Sequence, residues 1–307
     1  MRQRVSGVVG AIGLLLAALL PATGAIAQGG GQGGEGLSPT LARIKNANIV
    51  HVGYRESSPP FSFLDEANRP IGYSLELCEA IVEEIAAEVD APDLKIDYVK
   101  VTSDDRIPAV LQNKIDLECG STTANAERSK QVAFSPLIFV AGTKLMVAKS
   151  SPISAATDLK GKTVVVTKGT TNEQAMRNVD KKFQLGLNIV SAADHEQSYQ
   201  MLADGKVDAF ATDDVLLYGF IATAPNAKDM KVVGEYLSYD PYGLAYRRDD
   251  PAFAALVERT FARIAGERRL AELYNKWFLR KLPTGETLNL PMSPQLEEIF
   301  RVLGQPE

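Results

Sequence analysis

Apolar positions along the chain alternate between two rhythms. The runs Ile49–Gly53, Leu94–Val101, Ile115–Cys119, Thr163–Thr167, Leu187–Val190 and Asp208–Thr212 are short, β-rich and bounded by turn residues, and each predicts a strand. Between them the spacing turns helical: Cys78, Ile81, Val82 and Ile85 repeat at i, i+3, i+4 and i+7 within 74–87, with Ser74 expected as the N-cap. Strands alternating with helices in this way predict an α/β fold of mixed, largely parallel sheets with helices on both faces.

Two extended stretches interrupt the alternation. The run 138–147 has few breakers and predicts a crossover strand, and a second extended stretch at 236–242 precedes a helical region from Asp250 to Phe278. If the chain leaves one lobe near the first and returns near the second, residues 37–139 and 241–307 make lobe 1 and residues 143–236 make lobe 2. The connections near 140–142 and 237–240 then form a two-stranded hinge.

At the N-terminus, Arg2 and Arg4 precede an apolar run from Val8 to Leu20 and a small-residue end at Ala25-Ile26-Ala27, so residues 1–27 read as a cleavable secretory signal. Residues 28–36 read as a flexible Gly-rich leader. No cysteine stands at the expected new N-terminus to accept a lipid, and no later stretch is long and apolar enough to span a bilayer, so no direct membrane insertion is expected. Cleavage removes two arginines and no acidic residue, which moves the formal charge from −5 to −7 and argues against nucleic acid as a partner. The two cysteines, Cys78 and Cys119, are read either as one disulfide in an oxidising compartment or as two buried thiols.

Three strand-to-helix junctions carry the candidate chemistry, because open α/β sheets bind ligands where strands end. In 119–128, Ser121 and Thr123 offer hydroxyls, a helix is expected to begin, and Arg128 offers a planar fork suited to a carboxylate. In 163–173, Thr170 and Glu173 have the spacing of a capping box, and the helix start favours an anion. In 208–214, Asp213 either caps a helix or faces a cleft and accepts from a ligand ammonium. Arg55, Arg106 and His195 also stand out as basic groups at strand or helix ends in an acidic chain, with Asp194 placed to cap the helix that His195 begins.

Read together, these junctions resemble the bacterial extracellular solute-binding proteins of family 3, the polar amino-acid receptors of ABC importers. The carriers are Pro60-Phe61-Ser62-Phe63, Ile71-Gly72-Tyr73-Ser74, Gly120 to Arg128, Asp158 to Lys162, Gly169-Thr170-Thr171, Ala211 to Asp214 and Lys276-Trp277-Phe278. Arg55 to Ser58, Thr102 to Pro108, Glu118 to Thr123 and Asp194-His195 are similar to the branch of that family that takes glutamate and aspartate. The resemblance implies the two-lobe type II fold, a periplasmic location, a monomer and delivery of the ligand to the membrane subunits of an ABC importer, with no cofactor and no metal. It implies that Ser121, Thr123, Arg128 and Thr171 hold the α-carboxylate, that Asp213 takes the α-ammonium, and that Arg55, Ser103, Arg106 and His195 surround the side-chain carboxylate. Ser58 stands where many members place an aromatic over the ligand. An enzyme on the same scaffold, such as a dehydratase of amino-acid precursors, is the rival reading; no nucleophile, base and orienter set supports it.

Overall fold

The computed structural model describes residues 37–306 apart from 225 and 226, so the expected signal and leader at 1–36 lie outside the described residues. From Leu37 onward the chain forms one compact unit built on two five-stranded sheets.

The first sheet has the order Lys95–Lys100, Ile49–Tyr54, Leu117–Glu118, Ala245–Arg247, Val132–Phe134. Its first three strands are parallel, with Gly53 opposite Glu118, and Ala245–Arg247 runs antiparallel to both neighbours. The second sheet repeats the design, with Asn188–Ala192, Thr163–Thr167 and Ala209–Asp213 parallel and Thr143–Ala148 antiparallel between Ala209–Asp213 and Met230–Val233. Successive residues of a strand point to opposite faces, so Val164 and Val166 enter a core with Met176 while Val165 enters another with Phe210 and Leu217. Helices cover both faces, which is why the inner strands Thr163–Thr167 and Ala209–Asp213 are buried almost throughout.

All six strands expected from the sequence are present within a few residues of their expected ends. Three local expectations are corrected. The helix Tyr73–Glu88 is capped by Gly72, while the Ser74 hydroxyl donates to the Gly120 carbonyl at 2.8 Å. No α-helix follows Ser121: the segment stays extended and ends in a single 3-10 turn, Arg128–Lys130, because the Arg128 guanidinium is engaged by carbonyls. The run 138–147 is two strands, Phe139–Ala141 and Thr143–Ala148, interrupted at Gly142.

Phe139–Ala141 pairs antiparallel with Asp240–Tyr242 in a small sheet of its own. Phe139 and Tyr242 lie 5.2 and 5.1 Å from the Phe61 ring, and Phe139 stacks on Phe278 at 4.9 Å, so both connecting strands are anchored in the core of the first sheet. The sulfurs of Cys78 and Cys119 are bonded, which pins Tyr73–Glu88 to the end of Leu117–Glu118.

Candidate functional site

Each candidate residue sits just beyond the carboxyl end of a parallel strand or on the helix that follows. On the first sheet, Arg55 follows Ile49–Tyr54, Ser103 and Arg106 follow Lys95–Lys100, and Ser121 and Thr123 follow Leu117–Glu118. On the second, Thr171 opens the helix Thr171–Phe183 after Thr163–Thr167, His195 opens His195–Ala203 after Asn188–Ala192, and Asp213 ends Ala209–Asp213. Thr170 and Asp194 cap their helices as expected, accepting from the amides of Glu173 at 3.3 Å and Gln197 at 2.8 Å. The reciprocal half of the capping box is absent, since the Glu173 carboxylate accepts from Arg177 and Ser191.

These ends converge. Arg55, Arg106, His195 and Asp213 are buried to 1, 2, 2 and 3% exposure, and Ser103, Ser121 and Thr123 are buried with them; Thr171 and Arg128 are half-buried. Arg55 Nη2 donates to Ser103 Oγ at 2.6 Å. Arg128 donates from Nη1 to the Thr123 carbonyl at 3.0 Å and from Nη2 to the Gly169 carbonyl at 3.2 Å, so one guanidinium touches loops of both sheets. Thr123 Oγ1 and Thr171 Oγ1, from opposite sheets, lie 3.3 Å apart and both donate to Asp240 Oδ1, at 3.1 and 2.7 Å. The two sides also meet at Lys168 and Asp104, an ion pair of 2.8 Å. At Gly169, with φ +76°, an added Cβ would stand 2.7 Å from Asp104 Cα, so only glycine allows the turn to approach this closely.

Burying charge without a countercharge shifts its titration. Burial, and then repulsion from Arg106, pushes Arg55 down to about 10 and Arg128 down to about 9. Arg106 is lowered by burial. The same burial, followed by Arg55 and Arg106, holds His195 well below its usual range, and its Nδ1 lies 2.7 Å from Thr167 Oγ1. Asp213 is pushed up to about 8 by burial and then by Asp240, against the opposing hydrogen bonds it accepts from Tyr242 and, at 2.7 Å, from Asn172. Among the described residues, no carboxylate lies within ion-pair distance of Arg55, Arg106 or Arg128.

Polar atoms without partners concentrate here: Arg55 Nη1, Arg106 Nε, Ser58 Oγ, Ser121 Oγ and Glu118 Oε1 are all buried and unpaired. An unmatched buried donor costs roughly 1–3 kcal/mol, more when charged. Three guanidiniums and an acid with such gaps can bind a small molecule with two negative ends and one positive end.

Sequence reading missed several members. Glu118 looks like the outward position of an alternating strand, but this sheet is covered on both faces. Asn172 carries a polar group on the buried face of an amphipathic helix, a signal visible in the pattern. Asp240 and Tyr242 lie in the connecting stretch, read for its backbone and not for its side chains.

Residues 50–280 match the family model for bacterial extracellular solute-binding proteins, family 3. The chain is 43% identical over 268 residues to an L-glutamate/L-aspartate-binding protein of Pseudomonas aeruginosa, covering 86% of this chain and 88% of that one. It is 38% identical over 263 residues to a glutamate/aspartate import solute-binding protein of Escherichia coli, covering 85% and 87%. Among solved structures, an ancestral arginine-binding protein bound to glutamine superposes with a TM-score of 0.69 at 31% identity, covering 76% of this chain and 99% of that one.

Proposed function

The chain belongs to the bacterial extracellular solute-binding proteins of family 3, and from that membership we propose that it is a periplasmic receptor that captures glutamate or aspartate between two lobes and delivers it to an ABC importer. The observation that carries the reading is the set of three arginines, two of them fully buried, that lack an ion-paired carboxylate and share the site with the buried acid Asp213. An acidic amino acid supplies what this set lacks. Arg128, with Ser121, Thr123 and Thr171, takes the α-carboxylate; Asp213 takes the ammonium; Arg55, Ser103, Arg106 and His195 enclose the side-chain carboxylate. The contacts of Arg128, Thr123 and Lys168 with the facing loops support closure about the strands Phe139–Ala141 and Asp240–Tyr242.

Charge-assisted hydrogen bonds contribute about 1.5–3 kcal/mol each, so five or six suffice for a Kd near micromolar or below after the ordering cost. Glutamine would leave a buried guanidinium facing a neutral amide, a loss on the order of 3–5 kcal/mol. Glutamate and aspartate differ by one methylene, about 1–3 kcal/mol, and both should bind.

Calorimetric titration with glutamate, aspartate, glutamine and succinate tests this. Arg106→Ala should weaken glutamate by at least about 100-fold and glutamine far less; an equal loss for both would remove Arg106 from the side-chain end. The receptor captures and does not convert, so incubation with prephenate or arogenate should return each unchanged; product formation would favour the dehydratase reading.

A further inference from the structure

Glu118 is an acidic side chain of this site to which the binding reading gives no task. It lies on Leu117–Glu118, the middle strand of the first sheet, and is buried. Its Oε2 accepts from the Thr122 hydroxyl at 2.6 Å and its Oε1 has no partner. It forms no ion pair within 4.0 Å with another described residue, yet its charge acts on Arg55, Arg106 and Arg128 alike. A Cβ at Gly120 would stand 2.5 Å from Glu118 Oε1 and 2.8 Å from Arg55 Cγ, so the chain leaves room there for the carboxylate to lie against the arginine stem. A buried carboxylate held near three cations, but not bonded to any of them, takes up none of their N–H groups while reducing the total positive field.

We propose that Glu118 is a specificity-determining residue that sets how much ligand charge the site accepts, trimming the pull of the three arginines so that an amino acid of net charge −1 is preferred over a dicarboxylate of net charge −2. The inference rests on the acidic-amino-acid reading above. Its physical content is that Glu118 repels a ligand in proportion to the ligand's net charge, whatever the ligand's shape. Asp213 discriminates differently, by requiring an ammonium at one place. Glu118 stands among the leading charge effects on all three arginines, whereas Asp105, Asp194, Asp213 and Asp240 do so for one or two of them each.

The test is a ladder of ligands of similar length, glutamine at 0, glutamate at −1 and glutarate at −2, titrated by calorimetry into wild type and Glu118→Gln. Removing the charge should leave glutamine within about threefold, tighten glutamate on the order of tenfold and tighten glutarate on the order of 100-fold. Discrimination of glutamate over glutarate then falls about tenfold. Thr122→Val, which removes the hydroxyl but keeps the charge, should leave the ranking unchanged. Equal weakening of all three ligands in Glu118→Gln, the same graded shift in Thr122→Val, or failure of both Glu118→Gln and Glu118→Met to fold would each overturn the proposal, because each makes the carboxylate structural. Wild type that binds none of the three would instead sink the underlying reading.

Discussion

Asp213 and His195 are shifted in opposite senses, the first raised and the second lowered, and so respond to acid in opposite directions. Asp213, pushed up to about 8 by burial and by Asp240, binds a proton in the closed, unliganded form that a solvated carboxylate would release above its ordinary value of 3.8. Acid therefore favours empty closure through Asp213, and that contribution is lost as pH rises through about 8. His195, lowered well below 6.5 by burial and then by Arg55 and Arg106, stays neutral when buried but takes a proton in water, so it opposes closure below about 6.5. Without ligand, the closed fraction should rise as pH falls from about 8 to about 6.5 and then level, where one effect cancels the other. An ammonium seated on Asp213 replaces the proton, so saturating glutamate should flatten the profile. Fluorescence energy transfer between labels on the two lobes, read across pH, checks both curves; a closed fraction that falls between about 8 and 6.5 would contradict the assignment. Residue by residue, the junctions were readable because hydroxyl, Asp and Arg side chains stand where strands give way to helices. Glu118 and Asp240 were not, because their burial comes from packing between segments distant in sequence.

At the scale of elements, the pattern of short β-rich runs sufficed for every expected strand: inner strands such as Ala209–Asp213 are buried throughout, while Lys95–Lys100 at the sheet edge keeps its lysines and Asp97 exposed. It failed after Ser121, where local sequence suggests a helix but the Arg128 guanidinium satisfies the Thr123 and Gly169 carbonyls and holds the segment extended. The bond between Cys78 and Cys119 belongs to this scale. It closes a loop across a sequence separation of 41 residues and ties the helix Tyr73–Glu88 to the strand end that carries Ser121. In the chain-entropy account such a crosslink is worth about 2–4 kcal/mol. Replacing both cysteines by serine should lower the unfolding free energy by that amount in a denaturant titration. Wild type in strong reductant should approach the variant; a double variant as stable as oxidised wild type would show that packing alone holds the helix in register.

For the whole molecule, the arrangement that could not be read from local pattern is the meeting of the two sheets. The connecting stretches stand out by their length and lack of breakers, but the pairing of their strands, and the Phe61, Phe139, Tyr242 and Phe278 cluster that anchors them, depend on contacts between segments far apart in the chain. That anchoring joins both connections to the packed core of the first sheet.

Arg128 gives this geometry a sharper consequence. Its two terminal nitrogens each serve a carbonyl, Thr123 on one bank of the cleft and Gly169 on the other, so a half-turned molecule would strand one bond and partly uncover the guanidinium. Such a component behaves as a toggle and not as a dial. Single-molecule traces should accordingly hop between two fixed label separations, with added glutamate lengthening the dwell in the shorter one and leaving both distances where they were; a separation that slides smoothly with dose would mean that the crossing bonds form independently of one another.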